Sequence, residues 1–156
     1  MGAGVSPEQA GRLATGRSVL RIGAPVREPG LVDAGSGKVE SINAVTLVTR
    51  DMAAATAFYD AIGFESVHGG ADAPFTTYRA GTGFLNLQLD PTWVPGPAVW
   101  GRVIFWVDDV DAVHRRVVDA GLVTTTEPAD APWGERYFHV RDPDGHELSF
   151  ARRLGP

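Results

Sequence analysis

The sequence predicts an α+β fold in which two βαβββ modules form curved mixed sheets around a cleft. Three observations predict it: helix start and stop signals that repeat at a fixed spacing, β-rich segments after each helix, and a strong hairpin signal near the C-terminal end. The chain has 156 residues, which is the length of one ordinary domain. Two modules of this size therefore have little room for independent cores.

The repeat has a spacing of 58 residues. Asp51 and Asp109 each stand where a side chain caps the first turn of a helix, and Gly63 and Gly121 each stand where a glycine ends one. Between cap and glycine, apolar residues recur three and four positions apart, so each predicted helix has one apolar face. A β-branched strand precedes each cap at the same spacing. The two halves therefore carry the same structural signals.

The remaining strands are assigned from runs of β-branched and aromatic residues. The predicted strands are 45–49, 64–67, 75–79 and 84–89 in the first module, and 103–107, 122–125, 136–140 and 147–150 in the second. A Pro-rich linker at 91–97 separates the modules, which span about 41–97 and 98–156.

The first 40 residues differ in composition from the rest. They contain eight glycines, three prolines and no aromatic residue. A segment without large apolar side chains buries too little surface to offset its ordering entropy. We therefore expect residues 1–40 to be a flexible tail, in which Ser18–Ile22 alternates enough to add a short strand, and residues 41–156 to be a single domain.

Composition excludes several classes of function. The chain has no cysteine, which excludes disulfides, thiolate metal sites and a cysteine nucleophile. Its net charge of −5 disfavours a nucleic-acid partner and favours weak attraction of cationic small molecules. No apolar run reaches the ~18 residues of a membrane span, and no secretion signal opens the sequence, so we expect no membrane partner and a cytoplasmic location.

The Asp-Pro-Asp-Gly signal at 142–145 sets the register of the last hairpin. A three-residue loop pairs Asp142 with His146, so every later pair along the two strands is determined. One face should then be apolar, with Phe138, Val140, Leu148 and Phe150. The opposite face should present Tyr137, His139, Arg141, Glu147 and Ser149.

The same alternation places polar side chains of the other strands on the non-helical faces of the sheets. These faces should enclose a cleft that binds a small-molecule ligand. The predicted ligand-binding residues are Thr46, Asn86, Gln88, Arg102, Trp106, Tyr137, His139, Glu147 and Ser149. Trp106 stands among them as a ring on which a flat ligand could stack, although packing in a core or a dimer explains it equally well.

With these elements assigned, the chain resembles the vicinal oxygen chelate superfamily, which includes glyoxalase I, ring-cleaving dioxygenases and bleomycin resistance proteins. The resemblance covers about residues 41–153. It is carried by Thr49–Met52, Ala57–Tyr59, Ile62–Phe64, Val107–Val110, Pro132–Gly134 and Arg141–Gly145. It implies the fold, a small-molecule cleft and a homodimer, and it is nearest to the bleomycin-resistance branch. These motifs do not fix a chemistry, because the superfamily hosts many.

Metal-dependent members of that family place a His, Gln or Glu ligand on each of four strands. The matching positions here hold Ala44, Asn86, Arg102 and Ser149. None is a usual ligand of a divalent ion, and the arginine brings a fixed positive charge. We therefore predict no metal and no cofactor. The alternative is a displaced site built from His139 and Glu147, which is one ligand short of a usual catalytic zinc site unless His68 approaches.

These observations support three hypotheses about the function. The first is a binding protein that sequesters an antibiotic or an aromatic metabolite without a metal. The second is a glyoxalase-fold enzyme (a lyase, isomerase or dioxygenase-like protein) acting on a small oxygenated metabolite, with His139 as base and Glu147 as its orienting partner. Alternatively, His139, Arg141 and Glu147 form a hydrogen-bonded cluster that satisfies its own members. The third hypothesis is a structural or regulatory module whose N-terminal tail, residues 1–40, binds a partner.

Overall fold

The strands and helices follow one another in the order that the repeat predicts. The computed structural model describes residues 39–155, so most of the predicted tail, including the strand at 18–22, lies outside the described residues. The elements are β1 (Ala44–Thr49), α1 (Met52–Ala61), β2 (Glu65–His68), β3 (Phe75–Ala80), β4 (Gly83–Leu89), β5 (Arg102–Trp106), α2 (Val110–Asp119), β6 (Ala129–Ala131), β7 (Glu135–Arg141) and β8 (Glu147–Arg153). No helix in this described part is long and apolar enough to cross a membrane.

The strands form two four-stranded mixed sheets that share one topology. The orders are β1-β4-β3-β2 and β5-β8-β7-β6, and neither sheet closes on itself. In each sheet the outer strand, β1 or β5, runs parallel to its neighbour, and the other pairs are antiparallel. The predicted α+β fold of two βαβββ modules is therefore confirmed.

The helix caps show why the two modules coincide. The carboxylate of Asp51 accepts the backbone N–H of Ala54 at 3.0 Å, and the carboxylate of Asp109 accepts that of Ala112 at 2.9 Å. Each helix has ten residues and is followed two residues later by a glycine with positive φ. The capping oxygen satisfies an N–H that the first turn leaves free, so the aspartates fix where each helix begins.

The two modules share one core. Phe64, which follows α1, packs edge-on against Phe105 of β5 at 5.0 Å between ring centroids, and it also contacts Phe150 of β8 at 6.2 Å. Phe105 and Phe150 stack on each other at 5.6 Å. Such aromatic contacts contribute beyond their buried area.

One predicted strand is wrong. Residues 122–125 form no strand, and only Thr124 makes an isolated bridge, to Val140. Instead, the N–H groups of Thr125 and Thr126 both point at the carbonyl of His139, and the Thr126 hydroxyl accepts the His139 N–H at 2.9 Å. These bonds turn the chain across the edge of β7, so the pairing strand starts only at Ala129.

The register of the last hairpin is confirmed. His139 pairs with Ser149, and Arg141 pairs with Glu147. The predicted apolar face of this hairpin is 2 % exposed or less at each position. The tight turn closes with the Gly145 N–H bonded to the Asp142 carbonyl at 3.0 Å.

The turn of this hairpin also ties the second module to the first. Within the turn, the Asp142 carboxylate accepts the backbone N–H groups of Asp144 and His146 at 3.0 and 2.9 Å. From the first module, the hydroxyl of Tyr59 on α1 donates to the same carboxylate at 2.9 Å. Burial raises the pKa of Asp142, while its contacts with His146 and Tyr59 act in the opposite direction. Burial and the Asp142 carboxylate raise the pKa of Tyr59, which keeps that hydroxyl protonated as a donor.

Two more side chains of the turn reach the first module. The Arg50 Nε donates to the Asp144 carboxylate at 3.0 Å. The His146 Nε2 lies 2.8 Å from the carbonyl oxygen of Val48, while its Nδ1 accepts from Trp100 Nε1 at 3.1 Å. Since Nδ1 is an acceptor, the proton of a neutral imidazole sits on Nε2 and is donated to Val48. The turn is therefore a polar junction between modules, buried under Trp93, which stacks on His146 at 5.1 Å.

Replacing Asp142 with alanine should destabilise the domain. The substitution leaves two backbone N–H groups and the buried Tyr59 hydroxyl without their acceptor, which should lower the free energy of unfolding by about 3 kcal/mol. Urea unfolding followed by tryptophan fluorescence measures it. Asp72→Ala, in the exposed loop between β2 and β3, is the control and should change little. Equal effects of the two substitutions would contradict this role of the turn.

Candidate functional site

The non-helical face of the second sheet carries a groove that runs along β8, here called the β8 groove. Strand β8 lies between β5 and β7, and every second residue of the three strands points to this face. The register arranges the side chains in four rows: Arg102, Glu147 and Arg141; Ile104, Ser149 and His139; Trp106, Ala151 and Tyr137; then Arg153 and Glu135. Successive rows are about 6.7 Å apart, and the outer strands about 10 Å.

The groove exists because its two central rows have small residues in the middle. Ser149 and Ala151 form the floor, and both are 3 % exposed or less because the flanking side chains rise above them. The resulting cavity has a volume of about 180 Å³. It is lined by Arg102, Ile104, Trp133, Glu135, Tyr137, His139, Ser149 and Ala151.

Aromatic rings form one wall of the groove. Trp133, from the loop before β7, stacks on Tyr137 at 5.8 Å with an interplanar angle of 21°. Its indole N–H is held by the Glu135 carboxylate at 3.0 Å. Tyr137 in turn contacts His139 at 5.0 Å between centroids. This wall can receive a flat ring, since aromatic groups stack in offset or tilted arrangements at these distances.

One end of the groove is charged. The Arg102 side chain donates through Nε and Nη2 to one oxygen of the Glu147 carboxylate, with Nε at 2.7 Å. Across the same row, the Arg141 Nη2 is 3.8 Å from the other oxygen, which is too long for a hydrogen bond. Glu147 is 7 % exposed, so its charge is buried beside one paired arginine and near a second.

His139 lines the groove in surroundings that favour its neutral form. The residue is 9 % exposed, and the buried Nδ1 of its imidazole has no hydrogen-bond partner within residues 39–155. Burial lowers the pKa of His139, and the nearby Arg102 charge lowers it further, while Glu147 acts in the opposite direction. Since Glu147 is bonded to Arg102, it does not hold His139 in place. The predicted hydrogen-bonded cluster of His139, Arg141 and Glu147 does not form, because Glu147 is bonded to Arg102 instead.

The structure places the predicted site residues in three locations. Arg102, Tyr137, His139 and Ser149 line the β8 groove, with Glu147 at its charged end. Trp106 stands on β5 with its ring 57 % exposed and the Arg153 guanidinium 5.6 Å from its centroid. The other three stand on the first sheet: the Asn86 amide donates to the Thr46 hydroxyl at 3.3 Å, and Gln88 is exposed.

A larger cavity of about 1030 Å³ lies on the other side of β5. It extends between the free edge of β5 and the start of β1, and it includes Trp100, Trp106 and Phe84 in its lining. Arg102 and Ile104 line both cavities. The outward side chains of β5 therefore separate the β8 groove from this second space.

Ala151 and Glu135 line the groove but were not predicted as groove residues. The predicted last strand ended at residue 150, whereas β8 continues to Arg153. Extending the alternation by one pair would have found Ala151. The position of Trp133 depends on the loop before β7, for which the sequence pattern has no period.

The residues at the four family ligand positions do not fit a divalent metal ion. Ala44 has no donor atom, and Arg102 places its cationic side chain on the Glu147 carboxylate. Ser149 is buried at the groove floor, and a serine hydroxyl is not a usual metal ligand. No group of three or more His, Asp or Glu side chains within residues 39–155 is arranged to hold a metal ion.

Comparison with known proteins agrees with this fold. The family model described as Glyoxalase/Bleomycin resistance protein/Dioxygenase superfamily matches residues 41–150. Among curated proteins, the chain is similar to the putative glyoxylase CFP32 of Mycobacterium bovis, with 31 % identity over 102 residues, 64 % of this chain and 39 % of that protein. The chain spans about two fifths of the length of the curated relatives it matches.

Two solved structures represent the structural neighbours. The bleomycin resistance determinant encoded on the transposon Tn5 is 25 % identical, with a TM-score of 0.61 over 73 % of this chain and 98 % of that one. A bleomycin-binding protein complexed with bleomycin is 24 % identical, with a TM-score of 0.58 over 74 % and 99 %. The latter likeness shows the fold alone. Because the family model covers well over half of its length, the chain belongs to the glyoxalase/bleomycin resistance protein/dioxygenase superfamily.

Proposed function

We propose that this protein binds a small, flat aromatic molecule in the β8 groove, without a metal or cofactor. The observation that carries the proposal is the floor of Ser149 and Ala151 between taller aromatic and apolar side chains. Pockets for small molecules combine such apolar and aromatic walls with a few polar groups that orient the ligand.

The size of the groove favours a small ligand. A cavity of ~150 Å³ accommodates benzene in a protein interior. The groove, at about 180 Å³, is open on one side, so it suits one or two fused rings lying against the Trp133 and Tyr137 wall. The side chains of Ser149 and His139, which both line the cavity, supply the polar groups of its floor and wall.

The family likeness is consistent with this proposal. The names of two structural neighbours refer to bleomycin resistance and bleomycin binding, which connects the fold to capture of a small molecule. The relative named as a putative glyoxylase connects it to an enzyme as well. Residues Thr46, Asn86 and Gln88, which lie on the first sheet, and Trp106 on β5 stay predictions as ligand contacts, as do the homodimer and the cytoplasmic location.

Binding should be visible in tryptophan fluorescence. We expect neutral and charged naphthalene derivatives to quench the emission, because Trp133 forms a wall of the groove. Trp133→Phe should remove at least half of the quenching. Trp93→Phe is the control and should retain it, because Trp93 stacks on His146 away from the groove. No quenching by any member of a broad aromatic panel would refute the proposal.

The same samples test whether a metal is required. After incubation with Mn, Fe, Ni, Co or Zn separately, the purified protein should hold less than about a tenth of an equivalent, because the ligand positions lack donors. Plasma mass spectrometry measures the content. Binding should also survive dialysis against a chelator, and a tightly held equivalent of any of these metals would contradict the metal-free part of the proposal.

A second candidate function is catalysis by His139. The observation that favours it is an imidazole that lines the cavity and whose pKa is lowered by burial, which favours the neutral form. Such a group can accept a proton from a bound substrate. Mass spectrometry of the ligand recovered after prolonged incubation separates the two functions. Unchanged ligand supports binding, whereas a product that disappears with His139→Ala supports an enzyme.

The lowered pKa of His139 predicts how stability depends on pH. The unfolded chain takes up a proton on this histidine near its ordinary pKa of about 6.5, whereas the folded protein resists protonation to lower pH. His139 therefore makes the free energy of unfolding fall as the pH drops below this value. Replacing His139 with leucine should make that fall less steep in urea unfolding between pH 5 and 8.

His68→Gln is the matched control, since His68 is exposed at the end of β2. It should leave the slope of stability against pH unchanged. A wild-type slope in the His139→Leu variant would show that the folded protein does not keep this imidazole neutral.

A further inference from the structure

The charges around the β8 groove differ from those of the chain as a whole. The chain carries a net charge of −5. The four rows of the groove instead hold three guanidinium groups and two carboxylates, on Arg102, Arg141, Arg153, Glu135 and Glu147. The neutral His139 adds no charge. The groove is therefore a locally positive surface on an acidic protein.

The excess positive charge lies at one end. At the far end, Glu135 and Arg153 contribute one charge of each sign. In the first row, two arginines flank one carboxylate. The Glu147 carboxylate is taken by Arg102, which donates two N–H groups to a single oxygen. The row therefore has an excess of one positive charge, and Arg141, whose Nη2 lies 3.8 Å from the other Glu147 oxygen, is the more weakly paired of the two arginines.

Arg141 has its donors available. Its side chain is 53 % exposed, its nearest carboxylate oxygen is beyond hydrogen-bond distance at 3.8 Å, and it makes no other ion pair among residues 39–155. A guanidinium presents a planar fork of N–H groups that matches a carboxylate. Arg102, on the other side of the row, keeps Nη1 without a partner among the same residues.

The charged end of the groove and its aromatic wall are close enough for one small ligand to contact both. The charged row, which contains Arg141, and the next row, which contains Ser149, are about 6.7 Å apart. A ligand whose carboxylate binds Arg141 can therefore place its ring over the small floor residues. We propose that the ligand is an aromatic acid of one or two rings, with its carboxylate at Arg141 and its ring over Ser149 and Ala151. This inference rests on the binding function proposed above.

The test compares three probes with the same ring system. We expect 2-naphthoate to bind the full-length protein at least about tenfold more tightly than neutral 2-naphthamide, and the 2-naphthylmethylammonium cation to bind most weakly. Isothermal titration calorimetry at low and at 0.5 M salt measures the affinities. High salt should reduce the preference for the carboxylate, because Arg141 is half-exposed and open to screening.

Arg141→Gln should reduce the preference for the carboxylate over the amide to under about threefold while leaving amide binding intact. Arg115→Gln changes the net charge equally, from an exposed position on α2, and should keep the full preference. Equal affinities for the carboxylate and the amide, or tighter binding of the cation, would overturn the aromatic-acid inference and leave the binding function standing. Failure of all three probes would overturn both.

Discussion

The buried carboxylate of Asp142 is the contact on which the arrangement of both modules depends. It accepts two N–H groups of its own turn, which sets the register of β7 against β8. It also accepts the Tyr59 hydroxyl of the first module. The same side chain thus supports the hairpin register and ties the second sheet to α1.

The groove follows from that register together with the residues of the central strand. A central strand with large outward side chains would fill the space between β5 and β7. Ser149 and Ala151 leave it open, and Ile104, Trp106, His139 and Tyr137 stand beside them. Because a slip of one residue would exchange the faces of β7, the same slip would place Phe138 and Val140 in the groove and remove the cavity. The register of β7 against β8 therefore determines both the packing of the core and the shape of the groove.

Much of this could be predicted from the sequence because it depends on local chemistry. Asp51 and Asp109 cap their helices through hydrogen bonds to the first turn, which do not depend on tertiary contacts. The Asp-Pro-Asp-Gly residues at 142–145 favour a tight hairpin for an equally local reason. From these signals, alternation alone brings Tyr137, His139 and Ser149 to one face. The failures lie where partners come from elsewhere. The strand expected at 122–125 is replaced by bonds to the His139 backbone, and the stacking of Trp133 on Tyr137 depends on a loop without periodicity.

Charge pairing shows the same limit at the site itself. The sequence places Arg102, His139, Arg141 and Glu147 on one face, and it allows several pairings among them. The structure bonds Glu147 to Arg102 across the parallel pair β5 and β8, a pairing of strands from different parts of the chain. That choice leaves His139 Nδ1 without a hydrogen-bond partner among residues 39–155 and leaves Arg141 with only a 3.8 Å contact to Glu147. The buried Glu147 carboxylate can pair with Arg102 or with Arg141, and its choice decides which polar groups remain available to a ligand. The net charge of the whole chain does not reveal that choice.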